Sequence, residues 1–460
     1  MRRITEKLAY YINRIKYSDF PNSAINIAKL AAMDTIGAGI AACCTDVGKL
    51  YLKTKPQTDN GCCSILGEGK KTSLMEACFI NASLCQTLDF DDTYEINSFA
   101  VSHPGPAVIP AALSVGEKIN CSGKELIKSI ILGYEVVIRV AKAIEPRKDE
   151  FWGFANTQIM GAVTAAGVLL GLNEKELVMA IGIAAACSPV ANTNMMWSLE
   201  KRPISWVKDG VGFVVSTGVM SALLAKNGFI GSRRGLDKED KYYLLCGSEN
   251  YKEREIVKNF GEKYEIENLS FKPYPTCRFM QSTLDAIGYL LKERNIKTQN
   301  IKRIEIYLPP SLAKFFAEYE PGSMIDAQFS LPYAVAMVIK KEIPSSLWYE
   351  KNKLSNQAIK NFAQKVSLIP DLEIERLRVE KNILSPRVKI LMSDGTEYEN
   401  NQKYAKGHPC KPFTLEDFKE KFRNNLSPIM KQNKIDEIIE AALKLDEFTL
   451  ISDFIKLLSI

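Results

Sequence analysis

Through most of the first 230 residues, apolar side chains return every three or four positions, a period that only helices can bury. Ile4, Leu8, Tyr11, Ile12 and Ile15 form the first such stripe. Pro21-Asn22 opens a second, which runs through Ile25, Leu30, Met33 and Ile36 toward Cys43. Ser73 with Glu76 and Ser122 with Glu125 have capping-box spacing, a hydroxyl followed three residues later by glutamate, and Asn173 with Glu176 is a third candidate cap. From Thr157 to Ala191, and again from Lys208 to Asn227, the chain is rich in Ala, Gly and Val and apolar on every side. Helices of that kind belong at the centre of a bundle, closely packed by their neighbours.

The character changes near Ser270. Lys302 to Leu308 alternates as a strand, with Ile304, Ile306 and Leu308 on one side. Helical patterns (Cys277 to Leu291, Phe329 to Lys340) precede a second strand region, where Val388, Ile390 and Met392 lead to Asp394-Gly395, a hairpin-turn dipeptide, with Tyr398 on the return arm. After Gly407-His408-Pro409-Cys410-Lys411-Pro412, Thr414 to Asp417 restarts a helix and Ile435, Ile438, Ile439 and Ala442 continue the period. The expectation is a mainly α chain: a large all-helical domain from residues 1–266, an α+β insertion at 267–403, and a helical return at 404–460.

Composition narrows the function classes. Sixty Lys and Arg against 54 Asp and Glu leave +6, too thinly spread for a nucleic-acid face. The stretches Gly161 to Leu172 and Val211 to Ala225 are interrupted by Gly, Thr or Ser and read as short of a membrane span. Residues Met1 to Lys7 turn polar at once, which argues against a secretory leader. Eleven cysteines, an odd number with no Cys-x-x-Cys pair, suggest a reducing cytoplasm rather than disulfides or zinc. Only two histidines occur, His103 and His408, so no histidine-rich metal site or relay can form.

Four segments could carry chemistry. Asp89-Phe90-Asp91-Asp92-Thr93 puts three mutually repelling carboxylates into an apolar setting, with His103-Pro104-Gly105 ten residues on. It reads as a helix end entering a solvated loop, as a general acid/base pair, or as a divalent-metal site of oxygen ligands. Glu200-Lys201-Arg202-Pro203 and Lys208-Asp209-Gly210 place cations before an apolar helix; they are a charged loop or an anion-binding one. Lys272-Pro273-Tyr274-Pro275-Thr276-Cys277-Arg278 is a proline-restrained entry to a helix, and Gln328 to Ala334 opens another with a hydroxyl cluster. Cys277 has no histidine near it in sequence to activate its thiol.

Together these segments resemble the MmgE/PrpD family, which includes 2-methylcitrate dehydratase, cis-aconitate decarboxylase and iminodisuccinate epimerase. Leu88 to Thr93, His103-Pro104-Gly105 with Val108 to Ala112, Gly133 to Val136, Leu224 to Phe229, Lys272 to Arg278 and Gln328 to Ala334 follow in the family's order across most of the chain. The resemblance implies a helical domain built from both chain ends, an α+β lid inserted between them, and a homodimer. It implies a cleft for a small di- or tricarboxylate, with no metal or organic cofactor. Asp89, Thr93 and His103 match active-site positions, and Tyr333 matches a lid tyrosine. A family basic residue falls on Lys201, Arg202 or Lys208, and Lys272 and Arg278 flank the lid entry. Family members carry histidines where this chain has Ala155 and Gln281; neither replacement can titrate.

The activity so implied is that of a cofactor-independent lyase or isomerase, a dehydratase first and then an epimerase or decarboxylase. It would abstract a proton α to a carboxylate, using His103 oriented by Asp89, with Tyr333 as a second acid/base. Cations from Lys201, Arg202, Lys208, Lys272 and Arg278, with Gln281 as a hydrogen-bonding group, would hold the substrate. Two rivals stand beside it. One is a magnesium-dependent helical enzyme, from the aspartate-rich run Asp91 to Glu95. The other is a non-catalytic ligand-binding homologue, motivated by Ala155 and Gln281.

Overall fold

Small residues decide how the centre of this protein is built. The computed structural model describes residues 2–54, 61–147, 153–189 and 202–460. The N-terminal part comprises α1 (Ile4–Arg14), α2 (Asn22–Ala42), α3 (Leu74–Thr87), a hairpin of β1 (Thr93–Ile96) and β2 (Phe99–Ser102), α4 (Gly105–Ile119), α5 (Gly123–Ile144), α6 (Ala155–Leu169), α7 (Glu174–Ala186) and α8 (Val211–Lys226). Helix α6 runs through the middle and touches α4, α5, α7 and α8. A β-carbon on Gly133 of α5 would lie 2.7 Å from Val108, one on Gly161 of α6 2.8 Å from the same valine, and one on Gly218 of α8 2.9 Å from Ala162. Glycine at these three places lets the helices approach to near backbone contact. The expected caps at Ser73, Ser122 and Asn173 all form, as does one at Thr414 with Asp417; each stabilises its helix start by about 1 kcal/mol.

Beyond α8 come β3 (Leu269–Ser270), α9 (Gln281–Glu293), β4 (Ile301–Leu308), α10 (Leu331–Ile339), β5 (Val366–Pro370), β6 (Arg387–Met392) and β7 (Glu397–Asn401). A four-stranded sheet runs in the order β5-β4-β6-β7, with β4 parallel to β5 and the other pairings antiparallel. Ile304, Ile306 and Leu308 are all fully buried, on the face their alternation predicts. Gly395 adopts φ +89° in the turn between β6 and β7, a conformation that costs glycine little. Two features were not expected. Strand β5 is an edge strand with mostly half-buried residues and no clear alternation. The segment 93–102 is a hairpin rather than a loop, and its first strand also pairs with β3, Thr93 opposite Ser270.

The chain closes with α11 (Leu415–Leu426) and α12 (Gln432–Leu443), both packed on α2. The protein is mainly α, as its periodicity predicts. Contrary to the expectation from the sequence, two helical stretches, Asn22–Ala42 and Lys208–Lys226, reach the length and apolarity of a membrane span. Most of each is instead covered by the protein itself.

Candidate active site

Helix α3 ends at Thr87, and Asp89 turns the chain out of it at φ +50°, a left-handed conformation that aspartate tolerates better than most side chains. Phe90, Asp91 and Asp92 then pass through the interior before β1 begins, so the acidic run is buried, not solvated. Asp92 fixes this passage. One of its oxygens accepts the Gly105 backbone N–H at 2.8 Å, the other the Tyr134 hydroxyl at 2.6 Å. The acid run is thereby tied to the start of α4 and to α5, and His103, two residues before Gly105, is brought onto Asp91. The His103 Nδ1 to Asp91 Oδ2 distance is 2.6 Å. Gln158 of α6 donates to the His103 carbonyl at 2.8 Å, and the Phe154 ring stands edge-on to the imidazole at 4.5 Å.

Cations offset the buried acids. Lys272 Nζ lies 2.6 Å from Asp89 Oδ1, 3.0 Å from the Asp89 carbonyl and 3.4 Å from Asp91 Oδ1. Lys208 Nζ lies 3.3 Å from the other Asp89 oxygen. Burial pushes the Asp89 carboxyl up, but Lys208 and Lys272 outweigh it and hold it below the usual range. Asp91 behaves likewise: burial opposes, and Lys272 with His103 prevails. Lys272 in turn is held above the ordinary lysine value, because Asp89 and Asp91 outweigh its own burial. Among the described residues no cation pairs with Asp92, and burial pushes it up to about 7 despite its two hydrogen bonds.

Behind this layer lies another pair. Lys421 of α11 meets Asp34 of α2 at 2.7 Å, donates to the Phe90 carbonyl at 2.8 Å, and sits 4.1 Å from the Phe90 ring centre. Ligand atoms of Asp89, Asp91 and His103 lie within 4.8 Å of one another, close enough to share a divalent ion. Lys272 and Lys208 already supply positive charge to both carboxylates from side chains of the chain itself.

A cleft of about 290 Å³, open solvent at its mouth included, reaches this cluster, lined by Asp89, His103, Lys208, Arg278, Cys277, Phe154 and Phe329 among others. Because Asp91 is held ionised, it is the acceptor and Nδ1 of His103 carries the proton. In the neutral ring this tautomer makes Nε2 the nitrogen with the free lone pair. Cys277 stays a thiol there, pushed up to about 12 by burial and by Asp89.

The residues singled out in the sequence divide in three. Asp89, His103, Lys208 and Arg278 line the cleft, with Lys272 directly behind Asp89. Thr93 is fully buried on β1, its hydroxyl without a hydrogen-bond partner among the described residues. Others are engaged elsewhere. The Tyr333 hydroxyl donates to the Trp348 carbonyl. Arg202 bonds Asp326 and the carbonyls of Phe315 and Phe329. Gln281 donates to Thr276 and Tyr274 and accepts from the Tyr274 N–H, pinning the turn that carries Cys277 and Arg278. Ala155, fully enclosed, follows Phe154 at the start of α6. Lys201 lies outside the described residues.

One expected contact is different: Asp91, not Asp89, holds His103, since both Asp89 oxygens are taken by Lys272 and Lys208. The sequence reading also missed Lys421 and Asp34. Lys421 shares a helix face with Phe418, Phe422 and Leu426, and Asp34 sits inside an otherwise apolar helix. A charge on an apolar face was the available signal for both.

The chain matches the family models for the MmgE/PrpD N-terminal domain over residues 6–254 and the MmgE/PrpD C-terminal domain over residues 274–447. It is 24% identical to the cis-aconitate decarboxylase of Homo sapiens, across 97% of this chain and 92% of that protein. It is 22% identical to the cis-aconitate decarboxylase-like protein oryM of Aspergillus oryzae, across 99% and 97%, and 23% identical to the cis-aconitate decarboxylase of Mus musculus, across 97% and 91%. With both family domains matched in order and the relatives aligned nearly end to end, the chain belongs to the MmgE/PrpD family.

Proposed function

We propose that this protein is a lyase acting on a small di- or tricarboxylate, with proton transfer at the carbon α to a carboxylate as its first step. The observation that carries the reading is the 2.6 Å contact between Asp91 and His103 at the wall of a cleft that also holds a lysine. Nε2 of His103 takes the α proton, and Asp91 stabilises the imidazolium as it forms. The electron pair left on carbon spreads onto the substrate carboxylate, and Lys208 is placed to meet that growing charge, a contribution often worth several kcal/mol to a transition state. In a β-hydroxy acid the pair then forms the C=C bond and expels the hydroxyl, which leaves as water with the proton returned by the imidazolium. Every group in this scheme belongs to the chain itself, so no metal or organic cofactor enters it.

Dehydration is the reaction we favour. Decarboxylation is the second reading, favoured by the names of the relatives at 22–24% identity. In it, His103 enters as the imidazolium, carbon dioxide leaves first, and Nε2 then delivers its proton to the carbanion, leaving the neutral ring. We place the enzyme in a reducing cytoplasm, supported by its eleven free thiols, and as a homodimer. Proton NMR of the purified enzyme with citrate, 2-methylcitrate, cis-aconitate and malate, each with and without a chelator, tests the function. Loss of water or of carbon dioxide, unaffected by the chelator and abolished in His103→Ala, is the expected result. Chelator-sensitive turnover, or turnover unchanged in His103→Ala, would contradict it.

A further inference from the structure

Arg278 opens the turn that leads into α9, and its guanidinium is held from one side only. Nε lies 2.8 Å and Nη2 2.6 Å from Glu95 Oε1 on β1, and both side chains are almost wholly buried. The remaining nitrogen, Nη1, is buried and has no hydrogen-bond partner among the described residues, and the residue lines the same cleft as His103 and Lys208. An orphaned guanidinium N–H in a low-dielectric wall forfeits the hydrogen bond it would make to water. An oxygen of a bound ligand would restore it.

The position is fixed by the hairpin as a whole. Phe99 of β2 stacks on Phe279, next to Arg278, at 5.0 Å. The hairpin tip is itself clamped: Asn97 donates to the Lys381 carbonyl at 2.7 Å and its own carbonyl meets His408 Nε2 at 3.1 Å. His408, the second of the two histidines, thus serves the hairpin and not the chemistry. A guanidinium fixed this way by Glu95 offers Nη1 to a ligand carboxylate with little ordering cost.

We propose that the β1–β2 hairpin, through Glu95, presents Arg278 as the anchor for a second substrate carboxylate, so that the cleft selects di- and tricarboxylates over monocarboxylates. The proposal rests on the carboxylate-lyase reading and names the group that sets its substrate class. Arg278 is the binding residue and Glu95 a positioning residue.

Calorimetric titration with succinate and with butyrate, four-carbon acids with two carboxylates and one, tests it. The wild-type protein binds succinate more tightly. Arg278→Gln removes about ten- to hundredfold of that preference, the worth of a charged hydrogen bond, and leaves butyrate binding where it was. Glu95→Gln, which keeps the guanidinium but frees its fork, lowers the preference by a smaller factor. Circular dichroism confirms that each variant is folded, and either variant alone decides the question if the other fails to fold. Equal or absent succinate binding in the wild type, or a preference that survives in a folded variant, overturns the proposal. A preference that collapses while no carboxylate is ever turned over would leave the anchor standing and remove the lyase. Turnover with the preference intact would do the reverse.

Discussion

Lys421→Met leaves the carboxylate of Asp34 buried without its cation, and the size of the effect can be worked from the contacts. Asp34 loses a 2.7 Å ion pair, the Phe90 carbonyl loses a 2.8 Å donor, and the ring of Phe90 loses a cation 4.1 Å away. Removing one partner of a buried pair costs about 3–5 kcal/mol. With a urea dependence of about 3 kcal/mol per molar or more for a chain this long, the unfolding midpoint falls by about 1 M. Far-UV circular dichroism in urea reads that shift. Its pH dependence has a definite sign. Burial raises the Asp34 carboxyl above its ordinary value even with Lys421 present, and removing the lysine raises it further. A group whose folded pKa is raised contributes stability that is full at low pH and lost as pH rises. The deficit of Lys421→Met is therefore larger at pH 8 than at pH 5.5. The double variant Asp34→Leu with Lys421→Met recovers much of it, because an apolar pair replaces an orphaned charge. A midpoint unmoved by Lys421→Met, or a double variant no better than the single, would refute the reasoning.

The remaining predictions concern the site itself. Asp91→Asn removes the charge that enforces the tautomer of His103 and puts there an amide that can donate as well as accept, and turnover measured by NMR falls by about 10²–10⁴-fold with circular dichroism unchanged; an unaltered rate would remove Asp91 from the mechanism. Asp92, pushed up to about 7 by burial, contributes stability that is complete below about pH 4 and lost as pH rises through 7. That is a slope of up to about 1.4 kcal/mol per pH unit. Asp92→Asn flattens this slope in urea titrations at several pH values. Iodoacetamide labels the exposed Cys44, Cys187 and Cys410 well before Cys277, whose buried thiol is held near 12; mass spectrometry after a short exposure reads the order.

What the sequence made legible follows local physics. Capping boxes at Ser73, Ser122 and Asn173, the alternation of Ile304, Ile306 and Leu308, and the Asp394-Gly395 turn are determined within a few residues, and all form where expected. The acidic run and His103 stand out by their chemistry, and the fold does bring them together. The pairings within the cluster depend on elements distant in sequence. That Asp91 rather than Asp89 meets His103 follows from Lys272, more than 180 residues away, claiming Asp89. Glu95 could not be matched to Arg278 without knowing that residues 93–102 form a hairpin. Gln281 and Arg202 had the right chemistry for a substrate, yet the neighbouring Thr276 occupies Gln281, and the sequence-distant carbonyls of Phe315 and Phe329 occupy Arg202. Strand β5 escaped notice because a half-buried edge strand needs no alternation.

The central claim is that His103, set by Asp91, moves a proton at carbon next to a carboxylate. Proton NMR in heavy water tests it most directly, following each candidate acid with wild-type enzyme, His103→Ala and Asp91→Asn. The account predicts deuterium entering α to a carboxylate with the wild type, none with His103→Ala, and about 10²–10⁴-fold slower entry with Asp91→Asn. Exchange that persists in His103→Ala would contradict it.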